Sequence, residues 1–350
     1  MISYKRQLPL RYLKHSDAPH SDIMSYLPQS ERIIWSSSVR LGLLDIFSSL
    51  SFEEGEFVLL PAIAPQGLVL PLQKKGIPYI FYHLKDGFDV DTKSVEELIQ
   101  MKGCRVLVFI HYFGRFNPQI HEVKRICEKH QVYLFEDAVH GLFGKDDEGH
   151  PLGSIGDLSF CSLPKFLPVP DGALFFVNNN GLKIILKEKR NLFWNGSIFF
   201  HIVSLLLNQV ASKCKKRGSY VVLSCWSKLN YAVYYRLLCG LMSNHGVSGL
   251  TQTILRHINL EEFIHDRKET FAQINSHYGF YPEAFMSPGY PIFTIDAQKE
   301  RSAWKAKNVE TLSYLKGWQY VPASSDFDFE RKLQLSHFLL PLNSDIVSCL

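Results

Sequence analysis

The sequence lacks the features that would mark a disulfide-stabilised, metal-binding or nucleic-acid-binding protein. Its seven cysteines form no CxxC pair, and several lie in apolar runs. Reduced core thiols are therefore expected, with no disulfide framework and no metal site. The 38 basic and 34 acidic residues leave a net charge of only +4 over 350 residues, which does not indicate a nucleic-acid partner. Residues 1–15 lack the apolar stretch of a secretory signal, so we expect a cytoplasmic protein.

Several common catalytic motifs are also missing. The chain has no GxGxxG, GxxxxGK[ST], HExxH or GxSxG sequence, so dinucleotide, P-loop, zinc-protease and hydrolase interpretations lose support. What the chain does have is 46% hydrophobic and 21% charged residues, a composition that supports a packed core. Its length predicts two lobes or one large α/β unit.

Short β-rich runs alternate with helical stretches through the first half, which is typical of a mostly parallel sheet covered by helices. Strands are predicted at 56–62, 78–82, 105–111, 132–136, 158–162 and 173–177, and helices at 38–50, 66–75, 93–101 and 118–129. Later, helices at 260–274 and 298–307, a strand at 290–295 and a β-rich run at 333–340 predict a smaller α/β domain. We expect a large domain over residues 1–245 and a small C-terminal domain over 246–350.

One part of the chain has no acidic residue. Between Lys189 and Asn259 there is not one Asp or Glu, while basic residues accumulate beside apolar runs such as 198–207. We expect residues 190–245 to form a basic, apolar, helical part of the large domain. The apolar run is shorter than the ~20 residues of a comfortable bilayer crossing. Two interpretations stay open: core helices with a basic rim, the commoner arrangement, or a basic surface over 190–259 that meets anionic lipid headgroups or a phosphate-bearing substrate.

Two polar residues stand at the ends of predicted strands, where open α/β sheets bind their ligands. Asp137 follows one apolar strand, and Lys165 follows another among apolar neighbours. Desolvation disfavours the charge of a lysine and so makes its amine a better nucleophile. A lysine that forms an imine and an aspartate that keeps a pyridine nitrogen protonated are together what pyridoxal phosphate chemistry needs. Taken alone, the aspartate would be a cap or turn residue and the lysine a solvated surface group.

Short motifs surround these two residues in a definite order. They are Leu60-Pro61-Ala62, His111-Tyr-Phe-Gly114, Glu136-Asp137-Ala-Val-His140, Gly156-Asp157, and Ser162-Leu-Pro-Lys165 followed by Asp171-Gly172. In this order and spacing the chain resembles the DegT-type (DegT/StrS) sugar aminotransferases, pyridoxal-phosphate-dependent enzymes of fold type I in the aspartate aminotransferase superfamily. The resemblance covers most of the chain. It implies pyridoxal 5′-phosphate as the cofactor, small-molecule substrates, a role in sugar or polysaccharide biosynthesis, and a homodimer that shares its active sites.

The resemblance also implies a role for individual residues around the cofactor. These residues are Lys165 (Schiff-base lysine), Asp137 (partner of the pyridine nitrogen), Val139 (one ring face), Ile63 and Ala64 (where many relatives stack an aromatic side chain), His140 (phenolic oxygen), Ser37, Ser38 and Ser162 (phosphate), and Asn244 (the neighbouring subunit's cofactor phosphate). For the serines at 37 and 38, an ordinary helix N-cap is the alternative. The arginine that relatives carry soon after this asparagine is absent here.

The main hypothesis is a transfer of an amino group from glutamate or glutamine to a nucleotide-linked keto-sugar. The alternative is a catalytically altered relative that acts as a regulatory or membrane-surface scaffold. It is motivated by the altered ring-stacking segment at Ile63-Ala64 and by the acid-free part of the chain. A sugar dehydratase is a third possibility. The relatives that dehydrate sugars carry histidine in place of the imine lysine, so Lys165 argues against it.

Overall fold

The structure is a computed structural model that describes residues 22–101, 103–184, 196–212, 214, 217–240, 246–281, 286–313, 315, 318, 321–342 and 344–350. One seven-stranded sheet organises it. Its strands are β1 (Arg32–Ser36), β2 (Phe57–Pro61), β3 (Tyr79–Tyr82), β4 (Cys104–Ile110), β5 (Tyr133–Asp137), β6 (Leu158–Ser162) and β7 (Ala173–Val177). Their order is β1-β7-β6-β5-β4-β2-β3. Strands β2 to β6 are parallel, and β7 runs antiparallel to β6 and β1. The predicted mostly parallel α/β sheet is confirmed.

Helices connect and follow these strands. They are α1 (Val39–Ser49), α2 (Gln66–Lys75), α3 (Thr92–Gln100), α4 (Ile120–Lys129), α5 (Gly196–Ser212), α6 (Arg217–Gly240), α7 (Gly249–His257), α8 (Leu260–Tyr278), α9 (Ala297–Ala306) and α10 (Asp328–Leu335). In α4 the buried residues are Ile120, Val123, Ile126 and Cys127. Their spacing of three and four places them on one helical face, which packs against the sheet.

The central strands are buried on both faces, as expected for a parallel sheet covered by helices. Every residue of β2 and β7 is buried. Helix α1 packs on α2, and α3 packs on α4. Each fully buried leucine or phenylalanine in such a core stabilises the fold by about 1.5–3 kcal/mol relative to its exposed state. The rigid sheet that results fixes the positions of the loops at its carboxyl edge.

A second sheet of two antiparallel strands, β8 (Tyr290–Phe293) and β9 (His337–Leu340), lies in the C-terminal part. Its apolar side chains belong to the same continuous core as those of β2 and β4. Core packing alone therefore marks no break between two units. The division of the chain at residue 246 stays a prediction.

The structure differs from the sequence-based expectation in several short segments; α7, for example, is not among the predicted helices. Strand β1 is not among the predicted strands; it forms where its backbone pairs antiparallel with β7. The expected β-rich run at 333–340 is wrong in its first part. Residues up to Leu335 complete α10, whose first turn carries the acidic residues that helix N-termini favour, and the strand begins only at His337.

Helices α5 and α6 form a hairpin from the acid-free part of the sequence. Among the described residues, none forms a helix with the length and apolar content that a membrane crossing needs. The inner side of the hairpin faces the carboxyl edge of the large sheet, where His201 Nδ1–H donates a hydrogen bond of 2.6 Å to the Pro170 carbonyl oxygen. The hairpin therefore covers the loops that follow β6.

Replacement of Gly42 by alanine tests the contact between α1 and the sheet. A Cβ atom at this position would lie 2.2 Å from the Phe175 ring, so the helix or the ring must move. We expect Gly42→Ala to lower the free energy of unfolding by about 1–3 kcal/mol, the usual cost of overpacking a core. Urea denaturation followed by circular dichroism measures this change. Gly218→Ala is the matched control, because a Cβ there meets open space; an equal effect of both substitutions would contradict the contact.

Candidate active site

The carboxyl ends of the central strands converge at one edge of the sheet. Strand β5 ends at Asp137 and β6 ends at Ser162. Because β7 is antiparallel, it begins at this edge, with Ala173 opposite Ser162 in register. Ala173 also lies opposite Ser36, the last residue of β1. Sequence segments more than a hundred residues apart therefore meet where open α/β sheets bind their ligands.

A pocket of about 240 Å³ opens at this edge. Seven of the residues expected at a cofactor site line it: Ser37, Ser38, Asp137, Val139, His140, Ser162 and Lys165. Other residues on its wall were not expected there; they include Arg40, Gln66, Asp171, His201, Tyr231, Tyr234, Tyr235 and Trp318. The structure thus brings the aspartate and the lysine that define the chemical hypothesis to a single cavity.

Asp137 is buried at the end of β5 and its Oδ1 accepts a hydrogen bond of 2.9 Å from the Val139 backbone N–H. Burial raises the pKa of Asp137 to about 7, although this backbone donor and the charge of Lys165 both act to lower it. A carboxyl group held in this way favours a cationic partner, because a nearby positive charge would restore its ionised form.

His140 lies three residues further along and is also buried. Its Nδ1 lies 3.2 Å from the Phe113 backbone N–H, which donates to it. Burial, with the nearby charge of Lys165, lowers the pKa of His140 well below its ordinary value. In the neutral ring the remaining nitrogen, Nε2, therefore carries the proton and is a hydrogen-bond donor. The neighbouring backbone requires Gly114, since a Cβ there would lie 2.2 Å from the His140 carbonyl oxygen.

Lys165 ends a short 3₁₀ turn, Leu163–Lys165, directly after β6. The loop that follows it is held by Asp171, a buried carboxylate that lines the pocket. Asp171 accepts hydrogen bonds from the Ser248 backbone N–H at 3.0 Å and from the Ser248 hydroxyl at 2.6 Å, and it also contacts the Thr251 hydroxyl. Because Ser248 caps α7, the lysine loop is tied to the start of that helix.

The amino end of α1 faces the same cavity. Ser38 caps the helix by accepting a hydrogen bond from the Leu41 backbone N–H at 3.3 Å. Ser37, Val39 and Arg40 line the pocket beside it. Backbone N–H groups of the first helical turn, hydroxyls and a guanidinium form a set of donors that suits a phosphate. The N-cap and the anion-binding interpretations of these serines are therefore compatible.

Ile63 and Ala64 do not line this pocket. Both are fully buried, and Ile63 belongs to the hydrophobic core of the large sheet. The next residues along the chain, Pro65 and Gln66, form the wall instead. Gln66 accepts a hydrogen bond from the Tyr235 hydroxyl, which in turn accepts one of 3.0 Å from Arg40 Nη2. In the segment that follows Leu-Pro, the amide side chain of Gln66 therefore lines the pocket, and the aliphatic side chains of Ile63 and Ala64 do not.

Some site residues follow from signals that the sequence does contain. Arg40 lies in the first turn of a helix, where its positive charge is repelled by the positive end of the helix dipole. An anionic partner at this position would relieve that repulsion. The tyrosines of α6 form an aromatic cluster in the sequence at 231–235. Trp318 carries no comparable signal, because it reaches the pocket from the C-terminal part of the chain. Asn244, expected near a partner subunit's phosphate, lies outside the described residues.

The fold and the pocket together define a class of protein. An α/β sheet with an aspartate after one strand and a lysine after the next, both at one cavity, is the arrangement of fold type I pyridoxal-phosphate enzymes. Residues 26–191 match the model of the DegT/DnrJ/EryC1/StrS aminotransferase family. Its aminotransferases use pyridoxal phosphate.

Two curated relatives match parts of the chain. The lipopolysaccharide biosynthesis protein RfbH of Salmonella typhimurium is 24% identical over 144 residues, which are 40% of this chain and 32% of the relative. The UDP-4-amino-4,6-dideoxy-N-acetyl-beta-L-altrosamine transaminase of Campylobacter jejuni is 25% identical over 115 residues, 33% of this chain and 30% of the relative. The chain thus matches about a third of the length of each relative.

Two solved structures are similar over nearly the whole chain. One is Helicobacter pylori PseC, an aminotransferase involved in the biosynthesis of pseudoaminic acid, with 14% identity and a TM-score of 0.60 over 93% of this chain and 86% of that one. The other is S. venezuelae DesV in complex with a ketimine intermediate, with 14% identity and a TM-score of 0.62 over 93% and 84%. At these identities the likeness establishes the fold.

The pKa of Asp137 predicts a pH-dependent stability of the cofactor-free protein. Its native pKa of about 7 lies above the unfolded value of about 3.9, so the native state holds a proton that the unfolded state loses between these pH values. Stability therefore falls as pH rises from about 4 to 7. Asp137→Asn removes this loss. As the pH rises from about 4 to 7, the free energy of unfolding of the variant should therefore increase relative to that of the wild type.

Urea titrations at successive pH values measure that difference. Asp86→Asn is the control, because Asp86 is exposed on the surface. Parallel pH profiles for the wild type and Asp137→Asn would show that the buried carboxyl is not held protonated.

Proposed function

We propose that the protein is a pyridoxal-phosphate-dependent aminotransferase that transfers an amino group from glutamate or glutamine to a nucleotide-linked keto-sugar. The observation that carries this proposal is the placement of Lys165 and Asp137 on the walls of one pocket. The family match over residues 26–191 supports the reaction class. The names of the relatives, a lipopolysaccharide biosynthesis protein and a UDP-amino-sugar transaminase, support a sugar substrate.

The pocket offers a suitable group for each part of the cofactor. Lys165 would hold the aldehyde carbon, Asp137 the pyridine nitrogen and His140, through Nε2–H, the phenolic oxygen. The amino end of α1 with Ser37 and Ser38 would hold the phosphate, and Arg40 adds a positive charge beside it. Ser162 and Val139 line the same cavity. When bound, pyridoxal phosphate supplies an electron-accepting ring for amine chemistry.

Lys165 has a second role in this proposal, as an acid and base. Its Nζ would take the proton from the α-carbon of the amino donor in the first half-reaction, and in the second it would deliver a proton to the sugar carbon that receives the amino group. Asp137 would stay ionised beside the positively charged ring nitrogen. It would thereby keep that nitrogen protonated, so that the ring can accept electrons. The tie between Asp171 and Ser248 holds the loop that positions the lysine.

The inner side of the α5–α6 hairpin supports a polar, ring-shaped acceptor. Tyr231 and Tyr234 line the pocket, and the His201 ring stacks on Tyr234 with centroids 4.4 Å apart. Aromatic faces with hydroxyl edges bind sugars well, because they combine apolar contact with hydrogen bonding. The proposal includes a homodimer, in which Asn244 reaches the partner's site, and a cytoplasmic location, which the reduced thiols favour.

Lys165→Ala tests the proposal directly. We expect the purified variant to lose the visible absorbance of lysine-bound pyridoxal phosphate and to lose amino transfer, because no other amine replaces the bond. Absorbance spectra before and after borohydride, with chromatographic detection of the amino-sugar product, provide the measurement. Lys165→Arg is the matched control that keeps the positive charge. Normal turnover in the alanine variant would reject the lysine as the acid and base.

A colour test separates the enzyme from the regulatory scaffold. The proposed enzyme is yellow when loaded, whereas a wild-type protein that stays colourless and takes up no added cofactor would support the scaffold.

Asp137→Asn tests the partner of the ring nitrogen. We expect this variant to fold and to bind the cofactor, but to slow amino transfer by about a hundredfold or more, since a neutral amide cannot stabilise a cationic ring nitrogen. Single-turnover kinetics with the donor amino acid measure the effect on the first half-reaction alone. The control is Asp86→Asn on the protein surface. An unchanged rate in Asp137→Asn would remove this carboxylate from the mechanism.

A further inference from the structure

The outer side of the α5–α6 hairpin exposes large apolar side chains. Those that project to solvent are Phe199, Leu206 and Val210 on α5 and Val222, Trp226 and Leu229 on α6, each between 49% and 57% exposed. We call these six residues the outer face. Scattered single apolar residues are ordinary on a protein surface, but three exposed apolar residues at spacings of three, four or seven on each of two paired helices mark a site of contact with another apolar phase.

Several small polar residues of the two helices lie inside the hairpin. Ser204, Asn208 and Ser227 are at most 9% exposed and bond one another: the Ser204 and Ser227 hydroxyls lie 3.0 Å apart, and the Ser227 hydroxyl donates to Asn208 Oδ1 at 2.6 Å. Among the described side chains of α6, the buried ones are Ser224 and Ser227. Small polar residues between helices and apolar residues outside are the reverse of a water-soluble helix pair.

The charge of the hairpin has one sign. No Asp or Glu occurs between Lys189 and Asn259. Lys228 and Arg236 are exposed on α6. An apolar face with a basic, acid-free border complements an anionic surface whose interior is apolar.

We propose that the α5–α6 hairpin docks the protein on an anionic lipid bilayer, with the outer face in the interfacial region and Lys228 and Arg236 against the headgroups. The 17 residues of α5 span about 26 Å, less than the ~30 Å hydrocarbon core, and Lys228 interrupts the apolar residues of α6. Both features fit helices that lie along the surface. Trp226 is a residue type that favours this interface. The inference does not depend on the proposed reaction.

A second copy of this chain fits the outer face less well. A two-fold contact between two hairpins would bring the same surface together from both subunits. Lys228 and Arg236 of each copy would then approach their counterparts with no carboxylate from residues 190–258 to compensate them. Like charges in an interface oppose association, whereas anionic headgroups neutralise them.

Vesicle flotation with the full chain tests the docking. We expect the wild type to float with vesicles of phosphatidylcholine containing 30% phosphatidylglycerol, and much less with phosphatidylcholine alone. The double variant Val222→Ser/Trp226→Ser should bind the anionic vesicles roughly tenfold or more weakly, because it removes apolar area from the bilayer contact. Lys228→Gln/Arg236→Gln should weaken binding about fivefold for each charge removed, and on anionic vesicles alone.

Two controls separate docking from misfolding. Met101→Ser/Ile295→Ser removes two apolar side chains that are exposed elsewhere, and should float as the wild type does. Trp226→Phe keeps an apolar ring, and should bind while losing the part of the vesicle-induced blue shift in tryptophan fluorescence that Trp226 contributes. Circular dichroism of each variant verifies the fold before flotation.

Three results would overturn the proposal. The first is a wild type that does not float with anionic vesicles. The second is equal flotation of the wild type and Val222→Ser/Trp226→Ser. The third is a loss of dimers in the latter variant by light scattering with no change in flotation, which would place a second copy on the outer face. Amino transfer, measured on soluble substrates, is a separate readout, so failure of the docking leaves the proposed reaction standing.

Discussion

The site depends on the fact that β5, β6 and β7 present their polar ends at one edge of a sheet whose strands are otherwise buried. A buried strand does not shift to expose its terminal carboxylate to solvent, because close-packed side chains fix each strand against its neighbours. Asp137 therefore stays in a desolvated position at a cost that only a cationic partner or a bound proton removes. Lys165, half-buried across the cavity, lies near enough to lower the pKa of that carboxyl. Burial and proximity together prepare the pocket for a charged ring.

The loops around the pocket are held by buried polar contacts and not by apolar packing alone. Glu136, next to Asp137, bonds to His111 at 2.9 Å and accepts backbone N–H groups of Gly153, Ile155 and Gly156. Its hydrogen bond with His111 and the charge of that ring act to lower its pKa against burial, and the lowering prevails. Such a network satisfies an otherwise costly buried carboxylate and fixes the loop that enters β6.

The α5–α6 hairpin joins two environments. Its inner side supplies tyrosines to the pocket, while its outer face is apolar and borders on positive charge. If the pocket is a catalytic site and the outer face a membrane contact, the same two helices fix the orientation of the catalytic site relative to the membrane. The chemistry proposed at Lys165 needs a dry cleft, and the tyrosines that line the pocket would help to exclude water from it.

The sequence by itself determined the strand and helix positions of the βαβ series, because apolar periodicity is a local property and packing on the sheet buries the apolar faces that it creates. It also placed Asp137, His140 and Lys165 at strand ends, and the motifs around them carry the resemblance to the DegT-type aminotransferases. Only the tertiary structure decided that Ile63 and Ala64 point into the core, that Gln66 and Arg40 join Tyr235 on the pocket wall, and that Trp318 arrives from far along the chain. These depend on which side of a buried segment faces the cavity and on contacts across more than a hundred residues, neither of which a local pattern contains.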